Sequence, residues 1–283
     1  MSNAGSEIRH VSDTALMVAG CRAVESEAPD AFFNDPFAAR LAGERGMAMF
    51  HALPHRFMMR FGIAIRTRFL DELLGELLAS THLSTVVSVG AGLDTRPWRL
   101  ELPADLRWIE VDFPDMLDYK ESLMASEKPR CRRERLSADL NNPDQRRAMY
   151  QSVGSEPALM ITEGLLMYLP AATVESLAAE PSRESGIAHW ISDITTSTFS
   201  QALGGYTSRV VGHVQAEDHL EGEQILEIID CEGWVPVAHC SYITDLAFAT
   251  ERIQKMMAGQ PEPPTQPSWS KDEPAGVHRF ARR

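Results

Sequence analysis

No stretch of this 283-residue sequence approaches the ~20 consecutive apolar residues that a helix needs to cross a bilayer. The N-terminus also lacks the basic segment and continuous apolar run of a secretory signal, and Ser2-Asn3-Ala4 after Met1 reads as a cloning remnant outside the fold. Basic residues are in short supply: 27 Lys and Arg against 40 Asp and Glu leave a formal charge of −13. With no basic patch standing out from an acidic surface, the pattern argues against a protein that grips a nucleic-acid backbone. Cysteine is scarce too. The four, at 21, 131, 231 and 240, form no C-x-x-C pair and fit no zinc framework, so they read as free thiols in a reducing cytoplasm. His51 and His55 have the i,i+4 spacing of a helical metal face, but Pro54 interrupts it, and no metal site is expected. Neither membrane nor nucleic acid is expected as a partner, and nothing in the sequence fixes an oligomeric state.

What is present is an ordinary globular composition, 44% hydrophobic and 24% charged, in a chain long enough for one sizeable α/β domain with a cap. The first eighty residues read as helices. Ser12 and Asp13 are candidate caps for a helix running through Val24, and Asp35 and Pro36 for the next. From His55 to Ala79, Phe57, Phe61, Ile65, Phe69, Leu73 and Leu77 recur every four residues, the mark of a long helix with one buried face.

The pattern then changes. Thr85–Val89 is a short β-branched run ending in Gly90, as a buried parallel strand would. Strand-like runs follow at Arg107–Val111, Arg133–Ser137, Ala158–Thr162 and Gly186–Ile194, separated by stretches of helical length at Pro114–Ser126, Asn142–Val153 and Ala171–Ala179. A further helix at Glu221–Cys231 and strands at Trp234–His239 and Gly276–Ala281 complete the set. Alternating strands and helices imply a mostly parallel sheet covered on both faces. The proline-rich segment from Gln260 to Pro267 reads as an extended loop. We therefore expect an N-terminal helical cap at 5–80 and a ligand-binding core at 81–283, with 195–222, which contains Gly204-Gly205, as a cover over the site.

Gly90-Ala91-Gly92 follows the first strand, where a doubly wound sheet opens its crevice and where glycine lets the backbone approach a nucleotide-like ligand. Asp112, at the end of the second strand, can accept both hydroxyls of an adenosine ribose. Nicotinamide-dependent oxidoreductases share this pair, although Thr95 stands where their third glycine would be and no Tyr-x-x-x-Lys pair is evident. A cofactor-binding protein without catalysis is a further alternative.

The wider text is more specific. Val89-Gly90-Ala91-Gly92-Leu93-Asp94-Thr95-Arg96-Pro97-Trp98-Arg99-Leu100 closely resembles the first motif of the leucine carboxyl methyltransferase family, which includes O-methyltransferases of polyketide biosynthesis. Glu110-Val111-Asp112-Phe113-Pro114 resembles its second motif, and Thr162-Glu163-Gly164-Leu165-Leu166-Met167-Tyr168-Leu169-Pro170 a third. Ser137-Ala138-Asp139-Leu140 and Arg66-Thr67-Arg68 resemble further blocks. The segments Thr14-Ala15-Leu16, Arg22-Ala23-Val24-Glu25-Ser26 and Asn34-Asp35-Pro36-Phe37-Ala38 look like the bacterial small-molecule branch. The resemblance runs from residue 12 to residue 194 and thins afterwards.

It implies a Rossmann-like class I methyltransferase fold, S-adenosyl-L-methionine as cofactor, and an oxygen as methyl acceptor. The implied cofactor set is Arg66, Gly90, Ala91, Gly92, Asp112, Asp139, Leu140 and Glu163. In it Asp112 takes the ribose, Asp139 and Leu140 the adenine, Arg66 the methionine carboxylate, and Gly90 with the Glu163 carbonyl the ammonium. Tyr168 and Glu163 are the catalytic candidates: Tyr168 would orient the acceptor oxygen, and the Glu163 carboxylate would neutralise the ammonium or sulfonium. Each has a plainer alternative. Arg68 and Glu72 form an i,i+4 pair, so arginines on that helix also suit a solvated face. Asp139 also suits the turn at Asn141-Asn142-Pro143, Glu163 a helix cap, and Tyr168 simple packing beside Pro170. Trp98 reads as core.

A carboxylate acceptor is ionised at neutral pH and needs no base, whereas a phenol, with a pKa near ~10, gains from one. No histidine lies within the strongest motifs, although His189 and His213 remain open as bases. The sequence thus leans toward a carboxylate of a small molecule such as a polyketide, with a phenol or a peptide carboxylate as alternatives. Met47, Met49, Phe50, Phe57, Met58 and Met59 are an adaptable apolar set that could meet such a substrate, although core packing is the simpler role for most.

Overall fold

The computed structural model describes residues 11–202, 220–258 and 272–283. The centre of the expected cover, with Gly204-Gly205 and His213, and the proline-rich segment lie outside the described residues, as does the start of the expected cap.

The N-terminal helices are α1 (Val11–Ser26), α2 (Ala38–Ala52) and α3 (Arg56–Ser80). The expected cap of α1 is displaced, while that of α2 is partly kept. Ser12 and Asp13 lie inside the first turn of α1, and Asp13 is paired with Arg45 at 2.6 Å. Asp35 and Pro36 precede α2, whose N-cap position is Phe37, and the Asp35 carboxylate holds Arg22 at 2.9 Å and the Thr95 hydroxyl at 2.8 Å. Asp13 is thus taken by a partner from elsewhere in the chain, whereas Asp35 Oδ1 still accepts from Phe37 N–H at 3.1 Å, two residues on, and so serves the start of α2.

Seven strands follow: β1 (Thr85–Val89), β2 (Arg107–Asp112), β3 (Arg132–Ser137), β4 (Ala158–Thr162), β5 (Ile187–Ile194), β6 (Trp234–Ser241) and β7 (Gly276–Arg282). They form one sheet in the order β3-β2-β1-β4-β5-β7-β6, in which β7 runs antiparallel to both its neighbours and the other pairings are parallel. The strand order reverses between β1 and β4, and such a reversal opens a crevice at the carboxyl ends of the strands.

Alternation along the strands builds two cores. Val87, Val89, Ile109, Met160 and Trp190 pack on one face with helical residues such as Met149 and Leu177. Val86, Trp108, Leu159, Ile161 and Ile191 pack on the other against α3 through Ile65, Phe69, Leu70, Leu73 and Leu74. Because both faces are covered, the central strands read as unbroken apolar runs. The four-residue stripe of α3 is buried from Phe61 onward, while Phe57, in the first turn, is 41% exposed. Leu74 is fully buried, so truncating it to alanine would cost about 2–5 kcal/mol. α1 and α2 pack on each other beside the carboxyl edge, around Ala19, Leu41, Leu93 and Trp98. Trp98 is thus a core residue, as expected.

Candidate active site

The crevice is a cleft of about 330 Å³, within the range of small-ligand sites. The residues assigned from the sequence to the cofactor and to catalysis all line it: Arg66, Gly90, Ala91, Gly92, Asp112, Asp139, Leu140, Glu163 and Tyr168. The turn after β1 forms its floor. Gly90 has φ +66°, and a Cβ there would meet Leu165 Cδ1 at 2.8 Å, so only glycine fits both the backbone and the space. The Gly90 and Ala91 N–H groups donate to the Val111 carbonyl at 2.8 and 3.0 Å, which locks the turn to β2.

Asp112 closes β2 beside this turn. One carboxylate oxygen accepts from Gly92 N–H at 2.7 Å and the other from Phe113 N–H at 2.7 Å, which fixes the side chain at the cleft wall. Burial raises its pKa, although these two donors act against the rise. Just past β3, Asp139 Oδ1 accepts from Asn141 N–H at 2.9 Å and Asp139 N–H donates to Gln145 Oε1 at 2.7 Å. Asp139 therefore does start the turn that its sequence context suggests, and it lines the cleft beside Leu140 as well.

On the β4–β5 side lies a network of charges. Glu163, just past β4, accepts from Arg66 Nε at 3.0 Å and, through its other oxygen, from Arg96 Nη1 at 2.7 Å. Arg96 also donates to Asp71 at 2.7 Å, and Arg99 grips the same Asp71 at 2.6 and 2.9 Å. Asp193, near the end of β5, accepts from Gly164 N–H at 2.6 Å and lies 3.4 Å from Arg66 Nη1. Burial alone would raise the pKa of Glu163, but Arg96 and Arg66 hold it down to about 2. Both carboxylate oxygens of Glu163 are thus engaged by arginine where the residue lines the cleft.

Tyr168 sits in a short 3-10 turn (Leu166–Tyr168) over the cleft. Burial raises its pKa, a shift opposed by a hydrogen bond to Thr14 of α1 and by Arg66. The same side of the cleft is lined by Met17 and Val18 of α1 and by Met59 and Ile63 of α3. Of the apolar set expected to meet substrate, only Met59 lines the cleft. Met49 and Phe50 are buried, which is the packing alternative.

His189 and Arg68 lie elsewhere. His189 is near the start of β5, opposite Leu159 and Ala281, away from the carboxyl edge where the cleft opens. Arg68 pairs with Glu72 at 2.7 Å and lies 3.9 Å from the Phe248 ring centroid, as a partly solvated side chain would. The sequence reading missed Arg96 and Asp193. Arg96 follows the glycine turn within the quoted first motif and Asp193 stands at a strand's carboxyl end, and these positions were the only available signals.

A sheet of this order, with a glycine turn after β1 and an acid at the end of β2, has the architecture of a class I methyltransferase. The sequence pattern of the leucine carboxyl methyltransferase family matches residues 15–180, and the chain belongs to that family. It is 38% identical over 183 residues to a candidate S-adenosyl-L-methionine-dependent methyltransferase of Streptomyces avermitilis, covering 61% of this chain and 64% of that protein. A counterpart from Streptomyces coelicolor is 36% identical over 183 residues, with the same coverage. The matched region thus spans a little under two thirds of these relatives. Among solved structures, a DUF574 family protein from Streptomyces avermitilis aligns over 94% of this chain and 96% of its own, with a TM-score of 0.57 at 14% identity. A candidate methyltransferase from Thermobifida fusca aligns over 98% and 96%, with a TM-score of 0.56 at 17% identity. At these identities the likeness is one of fold.

Proposed function

We propose that this chain binds S-adenosyl-L-methionine in the cleft and transfers its methyl group to an oxygen of a small apolar molecule, a carboxylate of a polyketide-like compound. The observation that carries this reading is the convergence of the motif residues on one cleft, in an order that suits the cofactor's parts. Asp112 lies on the β2 side, the glycine turn in the middle, and the Arg66 guanidinium on the β4–β5 side.

The residues fit such a group. The Gly90-Ala91-Gly92 turn presents bare backbone at the cleft floor. Asp112 is already oriented by two backbone donors and would accept from the ribose hydroxyls. Asp139 and Leu140 would border the adenine. With Nε on Glu163 and Nη1 beside Asp193, Arg66 would turn its Nη2 to the cofactor's carboxylate. When bound, the cofactor supplies a methyl group already activated on a sulfonium, so the protein's part is alignment and exclusion of water. Tyr168, held by Thr14, would orient the acceptor oxygen. Met17, Val18, Met59 and Ile63 would enclose its apolar body, with α1 and α3 as the cap. A carboxylate acceptor needs no general base, and the position of His189 far from the cleft removes one candidate for that role.

Calorimetric titration with S-adenosyl-L-methionine and its demethylated product tests the cofactor. A screen of carboxylates and phenols with cofactor labelled in the methyl group tests the acceptor. Binding of a nicotinamide dinucleotide in place of S-adenosyl-L-methionine would overturn the reading.

A further inference from the structure

The second acid beside Arg66 has no part in the roles assigned so far. Asp193 is 6% exposed and is held at a junction of three elements. One of its carboxylate oxygens takes the Gly164 N–H at 2.6 Å, and the other faces Arg66 Nη1 of α3 at 3.4 Å. Gly164 has φ +58°, and a Cβ on it would stand 3.0 Å from Arg66 Nη1 and 3.4 Å from both Cζ and Nη2. The guanidinium is therefore laid flat against the bare Cα of Gly164, with Glu163 at Nε and Asp193 at Nη1. Glu163 is shared with Arg96, which leaves Asp193 as the acid whose only arginine partner in this network is Arg66. Four residues beyond Gly164, the same turn carries Tyr168.

We propose that Asp193 is a positioning residue: through Arg66 and the Gly164 turn, it aims the guanidinium at the amino-acid end of the bound ligand. Stability alone gives little reason for a second carboxylate at this place. A buried acid beside Glu163 is costly to keep ionised, and an asparagine would satisfy Gly164 N–H equally well. Burial does push the Asp193 pKa up, against the pull of Arg66. The carboxylate's distinct contribution is directional, since it pulls one edge of the guanidinium toward β5 and leaves the group no freedom to swing. The amino-acid end of S-adenosyl-L-methionine is a zwitterion with no net charge, so a carboxylate nearby alters its binding little through long-range potential. What the substitution removes is placement.

This inference rests on the cofactor reading above, and the test separates the two. Two probes are used, S-adenosylhomocysteine and 5′-methylthioadenosine, which share the nucleoside but differ in the amino-acid end. In calorimetric titrations of the full chain, Asp193→Asn should weaken S-adenosylhomocysteine five- to tenfold and leave 5′-methylthioadenosine within twofold. In an Arg66→Gln background the same substitution should add no further loss. If Asp193→Asn does not fold, as judged by thermal denaturation, the smaller Asp193→Ser serves as the second variant with the same expected pattern. Equal losses for both probes, no loss for either, or full additivity with Arg66→Gln would overturn the positioning role while leaving the cofactor reading intact. Failure of the unsubstituted chain to bind either probe would overturn both.

Discussion

Arg96 Nη1 donates to Glu163 Oε2 at 2.7 Å, joining the helical turn after β1 to the end of β4 across 67 residues of sequence. Because Arg66 holds the other Glu163 oxygen, one buried carboxylate is shared by two guanidinium groups, alongside Asp193 on Arg66 and Asp71 on Arg96. Glu163→Gln should therefore destabilise the chain by about 3–5 kcal/mol near neutral pH, the usual cost of stripping one partner from a buried ion pair. The effect should fade in acid. The Glu163 pKa falls from 4.5 to about 2 on folding, so its contribution is complete above pH 4.5 and is lost as the pH falls toward about 2. Urea denaturation of both chains across that window checks this: the gap between them should narrow steadily, and a constant gap would refute it.

Asp112 is the acid expected to bear on the ribose. Asp112→Ala should weaken S-adenosylhomocysteine at least tenfold, given that a hydrogen bond to a charged group is worth about 1.5–3 kcal/mol. Asp112→Asn, which keeps an acceptor for Gly92 N–H, should fall between the alanine variant and the parent. Equal affinity in a folded Asp112→Ala chain would remove Asp112 from the cofactor site.

A second pH dependence comes from the far side of the sheet. His278 of β7 is stacked on His239 of β6 with ring centroids 4.1 Å apart, and its Nε2 donates to the Pro274 carbonyl at 2.7 Å. Burial first, and His239 second, lower its pKa from 6.5 to about 4. The fold thus favours the neutral ring, and this contribution is intact above pH 6.5 and is lost as the pH falls toward 4. Replacing His278 with leucine should flatten the stability profile in that window by up to about 1.4 kcal/mol per pH unit. An unchanged slope would show that the ring does not titrate there.

If the acceptor is a carboxylate, the labelled product should be a methyl ester that releases methanol in mild alkali. The rate should vary little above pH ~5, where the acceptor is already charged, and should survive chelation by EDTA, since such a transfer needs no metal to lower an acceptor pKa. An alkali-stable ether, with a rate climbing toward pH ~10, would mark a phenol instead.

The fold was largely legible because its signals are local. β1, β4 and the helix at Ala171–Ala179 fall within the bounds that their apolar patterns indicate. The glycine turn and Asp112 were legible for the same reason, since strand ends punctuate the pattern. Arg96 and Asp193 were not, because their partners lie 67 and 127 residues away and a charged residue at a strand end looks the same whether solvated or paired. The cap at Asp13 failed for the converse reason: a distant arginine, Arg45, takes its carboxylate. His189 could be set apart from the cleft only once its place along β5 was known.

The junction at Glu163 also bears on how the molecule comes apart. Its two arginines arrive from α3 and from the turn after β1, so the cleft is complete only when the centre of the sheet is already assembled. A ligand that needs this arrangement finds no foothold on a half-built chain. Stopped-flow measurements should accordingly show that added S-adenosylhomocysteine slows unfolding in proportion to its occupancy and leaves the refolding rate untouched. The ligand would then act as a latch on the finished structure and take no part in building it.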